Sequence, residues 1–210
     1  VEHLDIPAFA KANKLSLETA ARQERYRLLQ KYAVSLHAPI AVAHNKNDQA
    51  ETVLMHLLRG SGLAGLCGMQ PVSGNIIRPL LAVSRKEIET FNKENQILHI
   101  TDSTNTDISF TRNKYRLCLL PEVEAIQPGA ISAIASCAEL LSGYKELVDL
   151  QIKHYARDLI SVRNDGISLK VTDAIPYIVK LELIKLAISR LKGHPTDIER
   201  IHIENTAALW

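Results

Sequence analysis

Two stretches of this chain hold side chains whose types and spacing suit anion binding and proton transfer. The first is residues 40–65, IAVAHNKNDQAETVLMHLLRGSGLAG, in which His44 and Asp48 sit in a polar turn. An apolar run, Ile40 to Ala43, precedes the turn and an amphipathic segment follows it. The second is Thr111-Arg112-Asn113-Lys114-Tyr115-Arg116, where no acid follows the three cations until Glu122. Cations at a helix start run against the helix dipole, so this first turn is best explained if it faces a polyanion.

The elements that must hold these residues follow from periodicity. Ile40-Ala41-Val42-Ala43 is too short for a helix and lacks polar alternation, which predicts a central parallel strand buried on both faces. Ala50, Val53, Leu54, Leu57 and Leu58 recur at helical spacing and predict one buried helix face, with Asp48, Glu51, Thr52, Met55 and Arg59 around the other side. Gly60 stops that helix. Open α/β sheets bind ligands where a strand ends and a helix begins, and unpaired amides at the helix start favour phosphate. The same residues also fit a capped core strand with Asn45 or Asn47 as the N-cap.

Composition narrows the class. The chain has 210 residues, a net charge of +2, 46% hydrophobic and 23% charged residues, values of a soluble globular protein. No apolar run approaches the ~18 residues of a membrane span, and no signal peptide is visible. Cys67, Cys118 and Cys137 are widely spaced and lack any CxxC, which argues against a disulfide framework or zinc ribbon and fits a cytoplasmic protein. The chain opens on Val1 and reads as a fragment already inside a strand.

The rest is mainly helical. A short helix is expected over 7–15, and a second from Ser16, with Thr19 at N3, to about Tyr32; in it Glu18 can pair with Arg22, while Arg22, Arg25 and Tyr26 share a face. Residues 75–81 read as a short strand and turn. Ser84 and Glu87 form a capping box for a helix reaching about Asn95. Residues 96–110 are a polar loop without EF-hand spacing. Pro121 ends the cationic helix, and Gln127-Pro128-Gly129 is the best linker. Beyond it a stripe of Ile131, Ile134, Ala135, Ala138, Leu141, Leu147 and Leu150 predicts a helix toward Ile160. A turn at 164–166, a short alternating run 167–171, a helix from Pro176 to about Lys192 stopped by Gly193, and a last helix capped by Thr196 complete the chain.

The central string resembles that of the tRNA(Ile)-lysidine synthetases, a branch of the PP-loop ATP pyrophosphatases. Their pattern is a strand, His-His-x-Asp/Asn-Asp-Gln-x-Glu-Thr, then Arg-Gly-Ser/Thr-Gly-x-x-Gly-Leu. This chain carries His44, Asn47, Asp48, Gln49, Glu51 and Thr52, then Arg59-Gly60-Ser61-Gly62 and Gly65-Leu66, with Asn45 in place of the second His. The segment from Ser16 to Tyr26, the run Ile76 to Ile88, and Asp102-Ser103-x-Asn105 with Arg112-Asn113-x-x-Arg116 are similar to the same family.

The resemblance implies an α/β fold: a Rossmann-like parallel sheet of the PP-loop (adenine nucleotide alpha hydrolase-like) type over 1–125, truncated at its N-terminus, and a smaller, mainly helical tRNA-binding domain over 126–210. It implies ATP and Mg²⁺ as cofactors, with metal ligands unassigned, and ligation of L-lysine to C2 of the wobble cytidine of tRNA(Ile) through an adenylated base. His44, Asp48, Glu51 and Arg59 are then the catalytic candidates. Gly60, Ser61, Gly62, Arg78, Asp102 and Asn105 are candidates for ATP or substrate, and Arg22, Arg25, Arg112, Asn113 and Arg116 for tRNA or phosphate. The family's Ser-Gly-Gly-x-Asp-Ser loop is not among these residues, so the chain alone is expected to be inactive and to bind ATP weakly or not at all. A homodimer is compatible with the sequence. The rival readings are a PP-loop tRNA sulfur-transferase, disfavoured by the missing CxxC pairs, a non-catalytic PP-loop-derived RNA-binding module, and a generic nucleotide-binding α/β domain.

Overall fold

The structure, a computed structural model, describes residues 2–98, 107–163, 166–170, 172, 174–192 and 200–209. Asp102, Asn105, the turn residues Asn164 and Asp165, Gly193 and the Thr196 cap lie outside the described residues. The chain forms two compact units, Val1–Glu139 and Leu140–Trp210. It is mixed α/β, with a mainly helical C-terminal part.

In the first unit, helix α1 (Ile6–Asn13) starts on Asp5, whose carboxylate accepts the Ala8 amide at 2.9 Å. Helix α2 (Leu17–Leu36) starts on Ser16, whose Oγ accepts the Thr19 amide at 3.1 Å, and it runs past Tyr32 to Leu36. Its inward positions Ala20 and Ala33 are small, which lets α1 and strand β1 (Ile40–Ala41) pack close.

The strand departs from expectation. Only Ile40 and Val42 are withdrawn from solvent; Ala41 and Ala43 are exposed, so β1 is covered on one face among the described residues. β1 pairs parallel with β3 (Ile76–Ile77), and β3 pairs antiparallel with β2 (Val72–Ser73), in the order β1-β3-β2. Gly74, with φ +59, takes the first place of the tight β2–β3 turn, where a side chain would be strained.

Helix α3 (Lys46–Leu58) also differs. Its first half buries Ala50 and Val53, but Leu57 and Leu58 are exposed, and Asp48 and Glu51, assigned from sequence to the outer side, are buried. The reason is electrostatic: two arginines from a distant segment cover those carboxylates. The helix closes in a Schellman motif, with Ser61 N–H on the His56 carbonyl, Gly60 N–H on that of Leu57, and Gly60 at φ +73. A short helix α4 (Leu63–Leu66) follows. Helix α5 (Arg85–Glu94) carries the expected Ser84–Glu87 capping box.

Pro121 does not end the cationic helix. Helix α6 (Thr111–Lys114) passes through a π-helical turn, Tyr115–Leu119, into α7 (Leu120–Ile126), where Pro121 sits in the first turn. A proline ring clashes with the carbonyl four residues back in a regular α-helix; the widened turn is a site where that ladder is already broken. Gly129 and Ile131 amides bond the Glu124 carboxylate at 2.7 and 2.9 Å and hold its pKa below the usual value, and α8 (Ala130–Leu159) begins there.

In the second unit, Leu147 and Leu150 are exposed, and the buried stripe of α8 runs instead through Ile152, Ala156 and Leu159. The chain then enters a strand absent from the sequence reading, β4 (Ile160–Arg163), paired antiparallel with β5 (Gly166–Leu169). Ile160, Ile175 and Leu183 of helix α9 (Tyr177–Lys192) join that core, and Leu181 and Ile184 pack with Ile203 and Ala207 of α10 (Arg200–Ala207). Among the described residues no single helix is long and apolar enough to cross a membrane.

Candidate functional site

The site is built on the start of α3. Asn45 is its N-cap: its Oδ1 accepts the Asn47 and Asp48 amides at 2.9 and 3.1 Å, and Asp48 Oδ2 accepts the Asn45 amide at 3.0 Å. This reciprocal box stabilises the helix by about 1 kcal/mol and explains why Asn serves well at this position. Lys46 N–H goes to the Val83 carbonyl and Gln49 N–H to that of Asn45. The expected phosphate seat at this helix start is therefore closed by the chain's own acceptors.

Asp48 and Glu51 lie three apart on α3, and Arg112 and Arg116 lie four apart across α6 and the π turn, so each pair shares a face. The two faces meet. Glu51 Oε1 accepts Arg116 Nε at 2.7 Å, and Glu51 Oε2 accepts Arg112 Nε at 2.9 Å and Arg116 Nη2 at 3.1 Å. Asp48 Oδ1 accepts Arg116 Nη2 at 2.8 Å and, more loosely, Arg112 Nη2 at 3.4 Å. The Glu51 side chain is only 1% exposed. Burial alone pulls the Arg116 pKa down, but the Glu51 and Asp48 carboxylates outweigh it and raise the pKa above the ordinary arginine value. Asn113 is buried and donates to the Asp107 carbonyl at 2.8 Å, anchoring the loop before α6.

Beside this lattice lies a cleft of about 550 Å³ lined by Glu18 and Arg22 of α2, His56 and Arg59 at the end of α3, and Phe110 and Arg112. Three arginines from separate stretches thus face one space. Arg22 also lies over the Tyr26 ring, 5.4 Å from its centroid. Arg25 is exposed and is not among the lining residues. Two of the three candidate loop amides, those of Gly60 and Ser61, are committed to closing α3. Arg78 donates from Nη1 to the Gln70 carbonyl at 2.7 Å, while its buried Nε and the buried Nδ1 of His44 have no partner among the described residues.

Sequence reasoning gave His56 and Phe110 no role, and named Glu18 only as a partner for Arg22 and Gln49 only as part of the family string. His56 Nδ1 lies 2.7 Å from the Gly65 carbonyl, an acceptor only, so Nδ1 carries the proton. Gln49 donates to the Met69 carbonyl at 3.0 Å and accepts the Met69 amide at 2.8 Å, tying the loop to α3. A Cβ on Gly68, at φ +61, would stand 2.8 Å from the Gln49 amide. Gly68→Ala is therefore expected to lower stability by about 2 kcal/mol, read as the urea midpoint; an unchanged midpoint would refute the clamp.

His44 is half-buried, and its pKa is lowered by burial first, opposed by Asp48 and reinforced by Arg112, Arg78 and Arg22. The folded state thus disfavours the imidazolium. Its contribution to stability is present above the ordinary value of 6.5 and lost as pH falls toward the lowered folded value. Stability should drop between about pH 7.5 and pH 5, and His44→Gln should flatten that drop; urea titrations of both proteins at the two pH values check it.

The PP-loop domain family matches residues 2–123. Among curated proteins, the tRNA(Ile)-lysidine synthase of Thermosipho africanus is 50% identical over 129 residues, covering 61% of this chain and 30% of that protein. That of Geobacter sulfurreducens is 36% identical over 210 residues, 97% of this chain and 44% of that protein. That of Caldanaerobacter subterraneus subsp. tengcongensis is 34% identical, covering 98% and 45%. The chain spans less than half the length of these relatives. The family match runs from before α1 into α7 and takes in α3, the cleft and both arginines of the ion-pair lattice, more than half of the sequence, and on it the chain belongs to the PP-loop domain family.

Proposed function

We propose that the whole protein ligates L-lysine to C2 of the wobble cytidine of tRNA(Ile), using ATP to adenylate the base and releasing diphosphate and then AMP. The observation that carries the reading is the convergence of Arg22, Arg59 and Arg112 on one cleft beside the Asp48–Glu51 pair. The curated relatives named tRNA(Ile)-lysidine synthase supply the activity that this arrangement is suited to. On this reading β1 and β3 belong to a Rossmann-like parallel sheet, residues 1–125 form the synthetase domain, and residues 126–210 meet the tRNA.

The chemistry asks for cations where phosphate charge builds and for an acceptor for the lysine ammonium proton. Arg59 and Arg112 meet the first need from two separate stretches of the sequence. Asp48 is our candidate for the second: its side chain is 12% exposed, against 1% for Glu51, so Asp48 is the carboxylate a substrate reaches first. Glu51 then holds the arginines, and His44, kept neutral by burial, is a second proton acceptor. Arg78 has a donor to spare for an anionic oxygen.

Mg²⁺, the other cofactor of this reading, is held mainly by nucleotide phosphates, water and one or two carboxylates; among the described residues no three His, Cys, Asp or Glu side chains stand together, so no dedicated protein cage for it is present among them. The test is transfer of labelled lysine to tRNA(Ile) by the intact protein, with AMP release requiring both tRNA and lysine. AMP release without tRNA would overturn the reading. Asp48→Ala is expected to lower transfer by about 10²–10⁴-fold, and wild-type transfer by that variant would remove Asp48 from its role.

A further inference from the structure

The cleft has a feature that charge alone does not explain. Phe110, the residue before α6, lines it while remaining 36% exposed, and Met55 and Met69 supply further apolar lining. A partly exposed aromatic side chain among three arginines offers a stacking surface beside positive charge, which suits something flat and anionic. A nucleotide has that chemistry: the base offers a π-face and the phosphate takes the guanidinium. The volume, about 550 Å³, lies in the range of small-molecule sites and exceeds what a phosphate alone would need.

Two sources offer such a base, ATP and an unpaired nucleotide of RNA. Glu18 on the same cleft repels a compact triphosphate more than a backbone with one charge per residue. The helix start that would receive a triphosphate is closed by Asn45 and Asp48. We propose that Phe110 is the stacking wall for a base extruded from single-stranded RNA, with Arg22 beside its flanking phosphate and Arg59 and Arg112 left to the phosphate charge of the reaction. The inference deepens the tRNA reading above and rests on it for the identity of the RNA.

Trp210 is the only tryptophan in the chain, so F110W in a W210F background puts one reporter in the cleft. A single-stranded heptaribonucleotide should quench its emission, whereas the same backbone made abasic at its central residues, and tripolyphosphate, should not. F110A and F110L should weaken heptamer binding by about tenfold, F110Y should not, and abasic binding should stay unchanged. F110L keeps the apolar volume, so its urea midpoint should match that of the parent and separate stacking from folding. Equal quenching by the abasic backbone, or wild-type heptamer affinity in F110L, would overturn the inference. Quenching by ATP with the heptamer silent would overturn the RNA assignment. Lost stacking with intact lysine transfer sinks this inference alone; stacking retained in a protein unable to transfer lysine sinks only the function proposed above.

Discussion

Glu51→Ala is expected to destabilise the chain by about 3–5 kcal/mol, a large share of the roughly 5–15 kcal/mol that holds a domain folded. The glutamate is 1% exposed and accepts three guanidinium hydrogen bonds, so its removal strands Arg112 and Arg116 in a space made for their charge. Asp48 can compensate only in part, because one of its oxygens is fixed by the Asn45 amide. Glu51→Gln, with the same volume and no charge, should fall between. The double variant with Arg116→Ala should cost less than the two single changes added, because the second removes a charge that the first left unpaired. Urea denaturation of the four variants against the parent measures these differences. A loss under about 1 kcal/mol for Glu51→Ala would mean that the lattice behaves as an ordinary surface ion pair, and that Glu51 does not hold the site.

The sequence announced the parts of this arrangement better than their assembly. Caps were legible because they are local: Ser16, Asn45 or Asn47, and the Ser84–Glu87 box are each decided by atoms a few residues apart, and Ser16, Asn45 and Ser84 are N-caps in the structure. The cationic turn at 111–116 was legible as an anomaly against the helix dipole. What periodicity could not give was its partner. Glu51 falls on the polar side of a helical wheel, yet it is among the most buried side chains because residues more than sixty positions away neutralise it. The same limit applies to β1, whose apolar run suggested two covered faces while only one is covered. Pro121 misled for a different reason: a proline ends an α-helix, but a π turn lets the chain pass it.

Arg112 and Arg116 share a motif and an ion-pair lattice, and they should fail differently. Arg116 commits both its Nε and its Nη2 to short contacts with Glu51 and Asp48. Arg112 makes one short bond to Glu51, while its 3.4 Å contact with Asp48 is too long to hold it firmly, and it lines the cleft. A guanidinium fixed at Nε with its outer edge toward a ligand space is a preorganised donor, and removing one such donor costs about 10²–10³-fold in rate. Arg112→Ala in the intact protein is therefore expected to lower kcat/KM for lysine transfer by that factor, with a smaller loss of stability than Arg116→Ala. Arg112→Lys should recover only part of the activity, since an ammonium cannot bond Glu51 and a phosphate oxygen through one rigid plane. Arg116→Ala should show the reverse balance, a lower urea midpoint with much of the transfer rate retained where the protein remains folded. Equal losses of rate and stability in the two variants would show that the arginines act as one structural unit, and the cleft would then need another anion contact, with Arg59 the first to test.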